Sequence, residues 1–436
     1  MDLRTRNLWT NSNFLRFWAG QSISQVGSQI TVIAIPLLAA LHLQATPAQM
    51  GMLGIVQYAP YLLVGLFAGV FVDRVKKRLL LIITDLGRAV LLGLIPLLAF
   101  LGRLRFEHLY LIGFFTGILN LFFEVAYASY LPNLLKPQEL TDGNSKLQTS
   151  ASIAEIVGPG LGGWLSQAIG ASLAILGDSF SFLVSAFSLA LVRATEPVPA
   201  SGADRRKVLE ELRDGLRLVL REPNLRAFAG CSGTANIFIN INLAVYVLYL
   251  TRELGLEGGM VGLFYAFGSL GSLIGALFAM RLVQWFGFGR TILGETIVVG
   301  LAATAIPFIH GSLTWIVPMF CITHLIWSGY ATVYIVNAAS LRQTISPAGM
   351  LGRVTASTRF ISWGAGSLGF LIGGWLGGWI GLRPTLIVAG LGLLLSSMWM
   401  LPSPLRSQRE MPTQAQLPLD SGGTPGAAEQ AFGIVD

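Results

Sequence analysis

Charge is the scarcest property of this chain. Asp, Glu, Lys and Arg make up 12% of its 436 residues, about half the share of an ordinary soluble domain. Cysteine is almost missing as well: Cys231 and Cys321 sit in separate apolar runs, which excludes a disulfide framework or a cysteine-based zinc site. The histidines His42, His108, His310 and His324 are dispersed without an HExxH spacing. No lysine follows a glycine, as the phosphate-binding P-loop requires. Metal, cofactor, catalysis and ATP hydrolysis are therefore not expected of this chain.

What the chain has instead is hydrocarbon, 53% hydrophobic residues with a mean hydropathy of +0.65. A bilayer core of about 30 Å needs roughly 20 apolar residues per helix. Runs of that length fall near 14–42, 48–72, 79–101, 108–131, 146–169, 171–193, 225–251, 259–284, 291–309, 314–340, 351–381 and 384–401. Helices are the expected form, because open strands in lipid leave backbone groups unpaired and these runs exceed barrel strands. The first run is too long for a signal-peptide core and reads as the first span.

The net charge of +7 is better explained by topology than by nucleic acid. Of the Lys and Arg residues, only Arg103, Arg105, Arg252 and Arg383 fall on the side opposite the N-terminus, while Arg88 and Arg359 lie within spans. The positive-inside rule then places both termini in the cytoplasm. Adding or losing one span in the middle would reverse every later connection and destroy the bias.

Four regions follow: a six-helix bundle over 1–193, a cytoplasmic linker over 194–224, a second six-helix bundle over 225–401, and a Pro-rich tail over 402–436 expected to be disordered. Within the linker, Val208, Leu212, Leu216, Val219 and Leu220 form one helical stripe, suited either to the membrane surface or to packing against the bundle. The two halves repeat. GPGLGGWLSQAIG from Gly158 aligns without gaps on GFLIGGWLGGWIG from Gly369, matching Gly158, Gly162, Gly163, Trp164 and Leu165 to Gly369, Gly373, Gly374, Trp375 and Leu376 at an offset of 211. Runs five and eleven correspond only if six helices were duplicated into twelve.

The stretch GVFVDRVKKR, residues 69–78, concentrates five charges between two apolar runs. Gly69, Asp73, Arg74, Lys77 and Arg78 resemble the loop signature of the major facilitator superfamily, with Lys76 where a second Gly is usual. In the second half Gln284 replaces the acid. GPGLGG, through Gly158, Pro159, Gly162 and Gly163, resembles the core of that superfamily's antiporter-type motif. FLRFWAGQSISQVGSQI, DLGRA at 85–89, SYLPNLLKPQEL at 129–140 and LRDGLRLVLREPNLRAF at 212–228 are similar to the drug-proton antiporter branch that includes macrolide-efflux and enterobactin-export proteins. Ser28 follows Gly27 where that branch often has an acid, which weakens a proton role for the first helix.

The resemblance implies an all-α membrane protein with twelve transmembrane helices in two pseudo-symmetric bundles. It also implies a gating latch, with Asp73 at the start of helix eleven, and Asp85 and Arg88 as an i, i+3 pair near that latch. Ionisable groups inside spans are functional candidates by default. Glu124, Glu155 and Asp178 are candidates for a coupling proton, Glu124 first, with Arg359 as counter-charge; structural hydrogen bonding is the competing role for each. Glu295, only about a turn into its helix, reads as a snorkelling or capping residue. Gln21 and Gln25 in the first helix and Asn236 and Asn240 in the seventh share helix faces that either line a substrate cavity or join the halves.

The expected function is export of a moderately hydrophobic small molecule across a bacterial inner membrane by a monomer, in exchange for protons. A lipid flippase on the same fold, or a non-transporting scaffold using the linker and tail, are the alternatives. On the transport reading, deleting residues 404–436 should leave function intact.

Overall fold

Ser12–Leu37 (α1), Pro47–Leu63 (α2), Gly65–Val72 (α3), Lys77–Phe100 (α4), Phe106–Leu134 (α5), Leu140–Leu165 (α6) and Ala171–Leu191 (α7) form the first half. The linker helix Arg205–Arg221 (α8) separates it from Pro223–Leu248 (α9), Gly258–Phe286 (α10), Phe288–Ala305 (α11), Leu313–Ile345 (α12), Leu351–Trp379 (α13) and Leu382–Ser396 (α14). A computed structural model describes residues 8–72, 74–193, 205–347, 350–403, 406 and 408–409, and no strand occurs among them.

Ten uninterrupted helical segments are long and apolar enough to cross a membrane. One of them, Pro137–Leu191, holds both α6 and α7, which meet at Gly170 with φ +92°. A further crossing is divided at Val64 into α2 and α3, where Gly65, a poor helix former, follows. The twelve expected crossings are all present.

Local chemistry sets the helix ends. Thr46 and Gln49 close a reciprocal capping box at the start of α2, with Pro47 at the first helical position, where its missing N–H costs nothing. Asn11 accepts from the backbone of Asn13 and Phe14 to cap α1. Trp375 and Trp379, 61% and 72% exposed, stack on the outside of the bundle, as lipid-facing aromatics do.

The repeat extends far beyond the glycine motif. The first residues of α1, α2, α4, α6 and α7 correspond to those of α9, α10, α11, α13 and α14 at the same offset of 211. Wide π-helical turns at Leu38–His42 and Tyr249–Glu253 obey it too, as do Gly170 and Gly381, which share φ +92°. Packing repeats with them: α1 lies on α6 and α7 as α9 lies on α13 and α14, and α4 lies on α5 and α7 as α11 lies on α12 and α14.

Between the halves, α2 meets α13 and α10 meets α6. Both seams come to near backbone contact at the end away from α8, where Gly51 approaches Gly374 and Gly262 approaches Gly163. A side-chain bridge from Gln167 to Glu257, with Gln167 also accepting from the Gly259 backbone at 3.0 Å, closes the same end.

The linker helix packs rather than lying free. It contacts α3, α9 and α13. Gly215 abuts the Arg353 backbone and Ser357, Val219 is fully buried, and Asp214 lies 3.7 Å from Arg353. Leu220, expected on the apolar stripe, is 53% exposed. At the tail, the carbonyls of Gln408 and Arg409 accept from the backbone of Gly289 and Phe288, supplying acceptors to the first turn of α11. Most of the expected disordered tail lies outside the described residues.

Candidate functional site

The charged connection after α3 turns partly inward on its own half. Arg78 Nε donates to the Leu189 carbonyl at 2.8 Å and its other nitrogen reaches Ala190, while Arg16 donates to Leu191 at 2.7 Å. Three of the orphan carbonyls that end α7 are thereby satisfied by guanidinium groups, whose charge also complements the helix dipole. Arg74 is exposed and Lys77 half-buried. Gly69 faces open space, and Asp73 lies outside the described residues.

Two helical turns on, Asp85 and Arg88 make the expected ion pair. It is buried inside the first half, away from the connection that holds Asp73. Asp85 is 0% exposed and accepts from Ser185 at 2.7 Å, and Ser185 in turn accepts from Gln21 at 2.8 Å. Arg88 donates to Asn120 at 3.0 Å and lies between the Phe123 and Phe182 rings, 4.0 and 4.1 Å from their centroids. The partners come from α1, α4, α5 and α7, so this network ties four helices of one half together.

Beside it open two connected cavities that share Ser28 and Glu124. The smaller, about 300 Å³, is lined by Gln21, Gln25, Arg88, Glu124 and Glu155 among others. The larger, about 490 Å³, runs past Thr31, Asn120, Glu124 and Asp178 to Trp363 of the second half. Sequence candidates from five helices thus converge on one space. Glu124 and Glu155 are exposed on its wall, whereas Asp178 is 1% exposed and held by Thr31 at 2.5 Å and Ser181 at 3.0 Å.

Glu124 has the most informative surroundings. It accepts from Tyr61 at 2.9 Å, and the Tyr61 ring meets Trp363 edge-on at 4.9 Å across the seam between α2 and α13. Arg359, one helical turn before Trp363 and 5.8 Å from its ring, is a cation of the second half on this side of the seam, and Arg88 lines the smaller cavity with Glu124. Tyr61 and Trp363 were not singled out in the sequence, where an aromatic in a span is far more often lipid-facing.

In the second half Asn236 lines a separate cavity of about 310 Å³, while Asn240 is buried and donates to the Asn236 carbonyl at 2.7 Å. Glu295 departs from the sequence expectation. Rather than snorkelling or capping, it is 1% exposed and lines that cavity. The turn of α11 before it carries no charge that could draw it outward, and the neighbouring helices α12 and α14 enclose it.

The glycine motif serves closeness, in the same manner in both halves. Gly158 and Gly162 face α1 at Gln29 and Ile30, and their counterparts Gly369 and Gly373 face α9 at Ile237 and Ile241. Gly163 and Gly374 face across the seams, to α10 and α2. Pro159 lies inside α6, its carbonyl against Gly262.

This architecture has known counterparts. The sequence profile of the Major Facilitator Superfamily matches residues 17–369. The chain belongs to this superfamily. The transporter is 26% identical over 382 residues to multidrug efflux pump Tap of Mycolicibacterium fortuitum, covering 85% of this chain and 90% of that one. It is 25% identical over 396 residues to enterobactin exporter EntS of Citrobacter koseri, covering 89% and 91%. Among solved structures, a bacterial homologue of the iron transporter ferroportin in an inward-facing state matches with a TM-score of 0.70 at 20% identity, covering 89% of this chain and 97% of that one. At that identity the likeness is one of fold. A multi-pass membrane transporter with efflux-type relatives is the result.

Proposed function

We propose that this transporter exports a moderately hydrophobic small molecule from the cytoplasm of a bacterium, by alternating access and in exchange for protons. The observation that carries the reading is the position of Glu124. It is an acid on the wall of the polar cavity, bonded to Tyr61, whose ring meets Trp363 of the other half beside Arg359. Rocking one half against the other changes the distance from Glu124 to that cation and to water, which is the requirement for a proton site whose occupancy depends on which side is open. The backbone-tight seams at the end away from α8 act as one of the two gates. The relatives that pump drugs and enterobactin support the outward direction.

Reconstituted vesicles with an imposed pH gradient test this. Accumulation of a radiolabelled macrolide should follow the gradient in the native protein, and Glu124→Gln should abolish the dependence while leaving gradient-independent exchange. Lysolipid movement indifferent to the gradient would instead support a facilitator. Removing residues 410–436 should leave transport intact, which a scaffold acting through its tail would not tolerate. Asp73→Asn, at normal abundance in the membrane, should slow transport severalfold by weakening the latch near α13; unchanged rates would remove that role.

A further inference from the structure

The offset of 211 that relates the halves also relates their cavities. Gln21, Gln25 and Ser28, on the wall of the smaller first-half cavity, correspond to Ser232, Asn236 and Ile239 on the wall of the second-half cavity. The two spaces are images of each other under the repeat. Their contents are not. In the first half the guanidinium of Arg88 fills the region between α1, α4, α5 and α7, paired with Asp85, bonded to Asn120 and held between two phenyl rings. At the corresponding places the second half has Val299 for Arg88, Ala331 for Asn120, Tyr334 for Phe123 and Leu393 for Phe182, and all four line the cavity.

The counterpart of Arg88 is missing from the second half, but an acid is not. Glu295 stands one residue before Thr296, the counterpart of Asp85, and both line the cavity. The donor that approaches Glu295 is the neutral Nδ2 of Asn337, outside ideal hydrogen-bond geometry, and no cation is paired with it among the described residues. A carboxylate 1% exposed has lost its hydration and calls for a compensating charge. Arg342 lines the same cavity from the last turn of α12, yet it makes no ion pair with Glu295.

We propose that this second-half cavity binds the protonated amine or guanidinium of a small organic cation, with Glu295 as the counter-charge and the Tyr334 ring beneath the cation. The volume of about 310 Å³ suits a ligand of modest size, and its wall of Ala235, Ile239, Val299 and Ile335 suits an apolar body attached to the charged group. The ligand would supply what Arg88 supplies in the first half.

Benzylguanidinium and its neutral near-isostere benzylurea are suitable probes, titrated calorimetrically into the full-length protein in detergent. The native protein should bind benzylguanidinium about thirtyfold or more tightly than benzylurea, and Glu295→Gln should remove that preference. Val299→Arg is the decisive variant: it places in the second half the side chain that the first half carries, so it should leave the protein as heat-stable as the native form and abolish binding. Equal affinity for the two probes, binding unaffected by Glu295→Gln, or binding that survives Val299→Arg would each overturn the proposal. Binding is read at equilibrium without a gradient, so failure here is separate from failure of the proton-exchange reading.

Discussion

Arg88→Leu is expected to destabilise the first half by about 3–5 kcal/mol, the usual consequence of leaving one member of a buried ion pair without its partner. Asp85 would remain at 0% exposure with Ser185 as its remaining side-chain donor, and Asn120 would lose its donor. For a unit of this size, at about 2–4 °C per kcal/mol, the midpoint of thermal unfolding in detergent should fall by about 6–20 °C. The double variant Asp85→Leu with Arg88→Met removes both charges together and should recover most of the loss, because an apolar pair of similar volume commonly replaces a buried ion pair at little cost. Fluorescence-detected gel filtration after heating measures both. A single variant as stable as the native protein would mean that the pair is not the tie between α4, α5 and α7 that its geometry indicates.

Gly163→Ala and Gly374→Ala should each shift the conformational equilibrium rather than unfold the protein. A Cβ at Gly163 would lie 2.7 Å from the Gly262 Cα, and one at Gly374 would lie 2.9 Å from the Pro47 carbonyl. Backbone cannot rotate aside as a side chain can, so the seam must part. Overpacking of this kind costs about 1–3 kcal/mol in the state that contains the contact, a population change of about 5–150-fold toward the state that lacks it. Fluorescence energy transfer between labels at residues 171 and 382, the first residues of α7 and α14, reads the separation at that end. Both variants should widen it by similar amounts, because the repeat gives them equivalent places. Gly160→Ala is the control: its new Cβ would meet the Ala266 Cβ at an ordinary 3.6 Å, and the distribution should not move. Unaltered distances in both seam variants would show that these contacts do not act as a gate.

Much of the architecture was open to reading in one dimension, since the hydrophobic thickness of a bilayer is a local constraint on every helix. Apolar run lengths produced the crossings, and a thirteen-residue alignment implied a duplication that five pairs of helix starts and the paired turns then displayed. The Asp85–Arg88 pair was legible because i and i+3 are neighbours on any helix.

The rest depended on contacts between distant segments. Ser185 reaches Asp85 across 100 residues, and Tyr61 reaches Glu124 across 63, and no period within a single helix encodes either. Glu295 looked peripheral because distance along a helix says how deep a residue lies but not which neighbours enclose it. Composition, hydropathy and repeat alone determined that this chain is a duplicated membrane bundle, and the resemblance of the 69–78 and 158–163 motifs pointed to the transporter family. Only the packing of α4 against α7 and of α11 against α14 decided that Asp85 and Glu295 are both buried, the first beside Arg88 and the second in a cavity of its own. The reason is physical: burial and charge compensation are properties of the space between helices, and that space exists only once the helices have assembled.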